Sequence, residues 1–300
     1  MTLSFFSDKI YIVIIMNGIL VIDKEKNVTS RDVVNMACKK LGTRHIGHTG
    51  TLDPIATGVL VLGINDGCKI IELLTSNTKT YEAEILMGIS TDTLDITGNI
   101  VNKVDVDITC DKVKEVISTF PKKYLQEVPI YSAVHVDGKR LYEYARSKEE
   151  VELPKREVEI YELELISFDK DRFKIKTTVS KGTYIRSLIK DIGNMLGIPC
   201  TMSELRRTKQ GIFTLDDAYN IENVDINTKL ISIKDALSNI DSINVSDDMA
   251  IKIKNGMVLE LDTNKDLVCV LNNDKLLAIY KRYDKDKTKM KPFKVFKEDL

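Results

Sequence analysis

An aspartate followed by proline stands in the glycine-punctuated stretch His45-Ile46-Gly47-His48-Thr49-Gly50-Thr51-Leu52-Asp53-Pro54, with Gly58 just beyond. Glycines let a backbone or a ligand approach closely, and the proline fixes the chain behind the carboxylate. Asp53 is therefore the first candidate for chemistry, although a lone loop aspartate is more often an Asx-turn or a helix cap. Lys181-Gly182-Thr183-Tyr184-Ile185-Arg186 is the second constellation. Gly182 suits a tight strand-to-helix turn, Thr183 a cap, and Tyr184 and Arg186 then emerge at the start of a helix. A cation there opposes the helix dipole, so Arg186 is either solvated or grips a carboxylate in a bidentate fork. Tyr81, beside Lys79 and Thr80, opens the inward face of an alternating segment, where most tyrosines are core with a wet hydroxyl. Arg206-Arg207-Thr208-Lys209 and the basic stretch Lys281 to Lys297 could meet phosphate, but charge runs are usually solvated faces.

These groups need elements to hold them. Thr29-Ser30 offers a cap for a helix over 31–41, whose apolar positions 33, 34, 37 and 41 share a face and which Gly42 ends. The stretch 45–54 has no period and reads as a loop. Residues 80–87 alternate with Tyr81, Ala83, Ile85 and Met87 on one face, which predicts a strand. The runs 157–167 and 172–179, joined by Asp169-Lys170-Asp171, predict a hairpin, and Ile185, Leu188, Ile189, Ile192 and Leu196 an amphipathic helix. Strands and helices in an order that is not βαβ imply an α+β architecture around a mixed or antiparallel sheet. The charged segment 126–156, with Pro129 and Pro154, reads as an excursion from the core. After about 240 a short tail carries the runs 268–271 and 276–280 around Asn-Asn-Asp-Lys, the hairpin of a small all-β module.

Composition sets limits. The 300 residues carry 44 Lys+Arg against 45 Asp+Glu, so no global positive field steers a polyanion in. Any RNA-binding surface must be local. A chain 43% hydrophobic and 30% charged is neither disordered nor membrane-like, and its length suits one large domain or a large one plus a small one. Five dispersed cysteines read as reduced thiols of a cytosolic protein, and with only three histidines no metal centre is expected. The absence of a P-loop, a dinucleotide fingerprint and a nucleophile elbow argues against an organic cofactor. The apolar run from Ile10 to Met16 is shorter than the ~20 residues needed to span a bilayer and lacks the flanks of a secretory signal. Because strand-like sequence follows Met16 at once, residues 1–15 are read as an upstream extension, with an extra edge strand as the alternative.

Taken in order, five segments resemble the TruB family of tRNA pseudouridine synthases. They are Gly18-Ile19-Leu20-Val21-Ile22-Asp23-Lys24, the run from Gly47 through Leu60, Lys79-Thr80-Tyr81, Ser180 through Leu188, and Leu205-Arg206-Arg207-Thr208. The resemblance covers about 16–240, and its HTGTLDP core is highly specific. It implies a mixed-sheet catalytic domain over 16–240, with 126–156 as an RNA-binding excursion, and a small PUA-like domain over 245–300. It implies isomerisation of uridine 55 in the T-arm of tRNA by a cytoplasmic monomer, without cofactor, metal or guide RNA. Residue by residue, Asp53 becomes the catalytic nucleophile and Arg186 its partner. Tyr81 stacks on the flipped base with Tyr184 beside it, and His48 fills the space the base leaves. Leu205 lines the uridine pocket, and Lys24 joins the substrate-binding set. One departure is Glu25, where the family often has proline after the Asp-Lys pair, which would loosen that turn.

Such chemistry suits a single carboxylate. Uracil leaves as a stabilised anion, so the second acid of ordinary glycoside cleavage is less necessary. Asp53 can attack C1′ or take a proton from C2′. Three rivals remain at this level: a non-catalytic RNA binder of the same fold, a sugar hydrolase with a paired acid, and a guide-RNA-dependent relative acting on ribosomal RNA.

Overall fold

The strand expected over 80–87 is present as Lys79–Met87, with Tyr81, Ala83, Ile85 and Met87 buried, in a computed structural model of the chain. Residues 16–75 and 78–296 are described in full, and Thr2–Phe6 and Lys9–Val13 through their antiparallel backbone pairing alone. That ribbon joins neither larger sheet, and the reading of 1–15 as an upstream extension lies outside the residues described in full.

Lys79–Met87 sits inside a nine-stranded sheet. The path runs Gly18–Lys24, Thr57–Ile64, Cys200–Gln210, Lys79–Met87, Arg172–Val179, Lys155–Asp169, Lys123–Glu127, with Ile46–His48 and Phe213–Thr214 paired alongside. Only Thr57–Ile64 and Cys200–Gln210 run parallel, so the sheet is mixed and the expected α+β class holds. Both faces of Gly18–Lys24 and Thr57–Ile64 are covered, which is why those strands read as unbroken apolar runs. Leu20, Ile22, Leu60 and Leu62 pack with the helices Ser30–Leu41, Cys110–Thr119 and Ile185–Leu196. Ile19, Val21, Val59 and Val61 face the other way, onto Phe213 and the C-terminal strands through Leu271, Leu276 and Ile279.

Local signals were obeyed closely. Thr29 caps Ser30–Leu41 in a reciprocal box with Asp32, and Gly42 closes it in the left-handed region. A two-residue turn joins Lys155–Asp169 to Arg172–Val179. Gly58 has φ +100°, and a Cβ there would lie 2.2 Å from the Arg207 carbonyl oxygen. Gly58→Ala is expected to cost more than about 3 kcal/mol, read as a fall in the urea midpoint of unfolding.

Two expectations need correcting. The stretch 45–54 is not all loop, because Ile46–His48 forms a three-residue strand against Leu62–Ile64. Three residues are too few to show a period. The C-terminal module has its expected hairpin, Leu267–Asn272 and Lys275–Arg282, turned through Asn273 and Asp274 at positive φ. It also contains a helix, Asp247–Lys254, whose Ala250 and Ile253 pack under the four-stranded sheet. Nor does the module stand apart, since its strands share a core with the nine-stranded sheet.

The 126–156 excursion begins as the edge strand Lys123–Glu127 and carries a short ribbon and the helix Leu141–Ser147. Its own small core, Val128, Leu141 and Tyr144, contacts Tyr184 and thereby sits against the site. Among the described residues no helix is long and apolar enough to cross a membrane.

Candidate active site

The Gly-rich loop is held from three directions. Ser30 Oγ accepts from the Leu52 amide at 2.9 Å, and the Pro54 carbonyl accepts from the Asn27 amide at 2.8 Å. From below, Arg207 Nε donates to the Val59 carbonyl at 2.6 Å and Nη2 to the Gly50 carbonyl at 3.2 Å. Asp53 is thus presented by a fixed backbone.

Arg186 meets it. Nε lies 2.9 Å from Asp53 Oδ2 and Nη2 3.3 Å from Oδ1, the bidentate alternative of the sequence reading. The guanidinium also donates from Nη1 to the Thr93 carbonyl and from Nη2 to the Tyr131 carbonyl, both at 3.0 Å. Three loops therefore converge on one arginine, whose side chain is 6% exposed while that of Asp53 is 33% exposed. Burial pushes the Asp53 carboxyl above the ordinary carboxylate range, and Asp95 adds to the rise. Arg186 and Lys24 pull it back toward the charged form.

Asp53 and Arg186 line a cavity of about 420 Å³ together with Tyr81, Tyr184, Leu205, Tyr131 and Tyr142. An aromatic wall facing a paired carboxylate suits a flat heterocycle joined to a sugar. Tyr184 heads the Ile185–Leu196 helix, which has no side-chain cap from Thr183 or any other residue; the buried Gln126 instead grips the Tyr184 backbone. Its Oε1 accepts from the Tyr184 amide at 2.8 Å and its Nε2 donates to the Tyr184 carbonyl at 3.2 Å.

The other expected residues divide. His48 lies on the short strand before the loop, with Nδ1 buried and without a hydrogen-bond partner. Burial, then Arg31 and Arg207, pushes it below the usual histidine range, so it is neutral near pH 7. Lys24 is a correction: it is 1% exposed and does not line the cavity. Its ammonium donates to the carbonyls of Glu25, Val28 and Pro54, tying the Asp53-Pro54 loop to the first strand. The bonds to Glu25 and Val28 also brace the turn in which Glu25 stands. Arg206 forks onto Asp23, and the basic tail is largely paired, as Lys291 with Asp284 and Lys294 with Glu72.

Sequence reasoning missed Gln126, Thr93, Asp95 and the Tyr131 carbonyl. Asp95 is buried, and its Oδ1 accepts from the Thr97 amide and the Thr93 hydroxyl, shaping the loop that offers Thr93 to Arg186. The TDTLDITG run held an Asx-turn signal for it. Carbonyl acceptors leave no trace in residue type. No cluster of three His, Cys, Asp or Glu side chains among the described residues could hold a metal ion.

Known proteins match this arrangement. The model of "TruB family pseudouridylate synthase (N terminal domain)" matches residues 38–185, and that of "tRNA pseudouridylate synthase B C-terminal domain" matches 186–240. The tRNA pseudouridine synthase B of Bacillus cereus (strain ATCC 10987 / NRS 248) is 42% identical over 298 residues, covering 93% of this chain and 97% of its own. That of Lactobacillus acidophilus is 40% identical over 284 residues, covering 90% and 96%. Among solved structures, a Cbf5-Nop10-Gar1 complex shares the fold with a TM-score of 0.72 at 24% identity, covering 94% of this chain and 85% of that one. An H/ACA RNP bound to a substrate RNA containing 2'-deoxyuridine does so with a TM-score of 0.71 at 23% identity, covering 94% and 86%. With its sheet, its Asp53 loop and both family segments accounted for, the chain belongs to the TruB family of pseudouridylate synthases.

Proposed function

We propose that this protein isomerises uridine to pseudouridine at position 55 in the T-arm of tRNA, as a cytoplasmic monomer without guide RNA or cofactor. The observation that carries the reading is the Arg186 fork on Asp53 inside a cavity walled by Tyr81, Tyr184 and Leu205. The names of its full-length relatives support tRNA as the substrate.

The reaction breaks N1–C1′, turns the uracil, and joins C5 to C1′ while the C5 proton leaves and N1 is protonated. Asp53, kept ionised by Arg186, attacks C1′ or takes the C2′ proton. The base must leave its RNA stack at a cost of a few kcal/mol. Stacking on Tyr81 offsets about 1–3 kcal/mol of this, and His48, neutral and close to the loop, enters the vacated space. Tyr81→Leu should therefore weaken RNA binding by roughly 10-fold or more in filter binding. Tyr81→Phe should keep binding but slow tritium release from C5-labelled uridine, because the hydroxyl removes the C5 proton.

A sugar hydrolase would want a second carboxylate on the cavity, and among the described residues Asp53 is the only acidic one lining it. The guide-dependent reading has one observation in its favour, the H/ACA fold neighbours, which at under 25% identity speak for fold alone. Turnover on a bare tRNA transcript separates the readings. Stoichiometric pseudouridine at position 55 supports the proposal; no product without added guide RNA contradicts it.

A further inference from the structure

The base and sugar of a uridine are uncharged, yet the charged lining of the cavity is lopsided. Beyond Asp53 and its partner Arg186 it carries Lys79, Lys181 and Arg207. No ion pair joins Arg207 or Lys181 to a carboxylate among the described residues. Arg207 is 1% exposed, and two of its three nitrogens donate to main-chain carbonyls, Nε to strand residue Val59 and Nη2 to loop residue Gly50. A Cβ placed on Gly50 would lie 3.7 Å from Lys79 Cε and 3.8 Å from Arg207 Nη1, so two cations flank one bare glycine. That glycine stands three residues before Asp53. Burial, then Arg207 and Lys181, push the Lys79 ammonium down to about 8. Three cations facing one cavity favour an anion within it.

We propose that Lys79, Lys181 and Arg207 form a phosphodiester subsite, which takes the backbone phosphate adjoining the target nucleotide while Asp53 and the aromatic wall take its nucleoside. The inference rests on the nucleoside reading given above and adds where the charged part of the substrate goes. A flipped nucleotide swings about its own backbone, so its adjoining phosphate stays close to the cavity mouth. A phosphate contact there fixes register without reading sequence.

The test is equilibrium binding of a T-arm RNA hairpin to the full chain in an Asp53→Asn background, across a range of salt. Lys181→Gln is the primary variant because its side chain is exposed; Lys79→Gln is the second. Each should weaken binding by roughly 3- to 10-fold and flatten the log–log salt slope by about 0.7. A methylphosphonate at one linkage beside the target uridine should weaken binding to the parent protein by a similar factor and to the Lys181→Gln variant no further. If every neutral linkage costs both proteins equally, or if both lysine variants keep affinity and slope, the subsite is wrong. Failure of the nucleoside reading would show elsewhere, as no pseudouridine from the unaltered protein on an unmodified hairpin.

Discussion

Asp53→Asn should bind tRNA within a few-fold of the unaltered protein and lose at least about 10⁴-fold in the rate of tritium release from C5-labelled uridine. The amide keeps the size of the carboxylate and one oxygen for the Arg186 fork, so the loop, pinned by Ser30, Asn27 and Arg207, has no reason to move. What disappears is the charge. An amide neither adds to C1′ nor accepts the C2′ proton, so both routes fail together, and the loss does not depend on which is followed. Binding survives because the aromatic wall and the phosphate contacts are untouched. A variant that bound tRNA and still released tritium at near-normal rate would remove Asp53 from the chemistry.

Arg186→Ala is the second large effect, and it acts on two quantities. The guanidinium is one of the two groups that pull the Asp53 carboxyl back toward ionisation against burial and Asp95. Asp53 must be charged to react, so the rate is lost as pH falls through its folded pKa, which already lies above the ordinary value of 3.8. Removing Arg186 moves that acid limb to still higher pH. It also frees the carboxylate to rotate, and a preorganising contact of this kind is worth about 10²–10³ in rate. The Thr93 and Tyr131 carbonyls lose their donor as well, which should lower stability by about 2–4 kcal/mol in urea unfolding. Arg186→Lys restores charge but not the fork, and should recover part of the acid-limb shift and little of the rate. A pH–rate profile of Arg186→Ala superimposable on that of the unaltered protein would contradict this role.

How much of this was readable in advance follows from what kind of signal each feature leaves. The helix Ser30–Leu41, the strand Lys79–Met87 and the 155–179 hairpin announce themselves through caps, alternation and a turn, and they stand where expected. The three-residue strand Ile46–His48 is too short to establish an alternation. The C-terminal helix was legible but overlooked: Ser246 before Asp247-Asp248, then Met249, Ala250 and Ile253 on one side, is a capped amphipathic turn. In the site, Asp53, Arg186, Tyr81, Tyr184 and Leu205 line one cavity, and residue type alone left the arginine's partner open. Lys24 shows the opposite failure. A lysine in a recognised motif invites a ligand, whereas burial turned this one into a brace for the backbone. Gln126 and Arg207 were invisible as positioning groups because their partners are main-chain atoms.

The most direct test is a crystal structure of the full chain with a T-arm hairpin carrying 5-fluorouridine at the target position. The account predicts the nucleotide out of its stack against Tyr81, with an Asp53 carboxylate oxygen bonded to the sugar or within about 3–3.5 Å of C1′ or C2′. A flipped sugar seated in the cavity with Asp53 turned away from both carbons would contradict it.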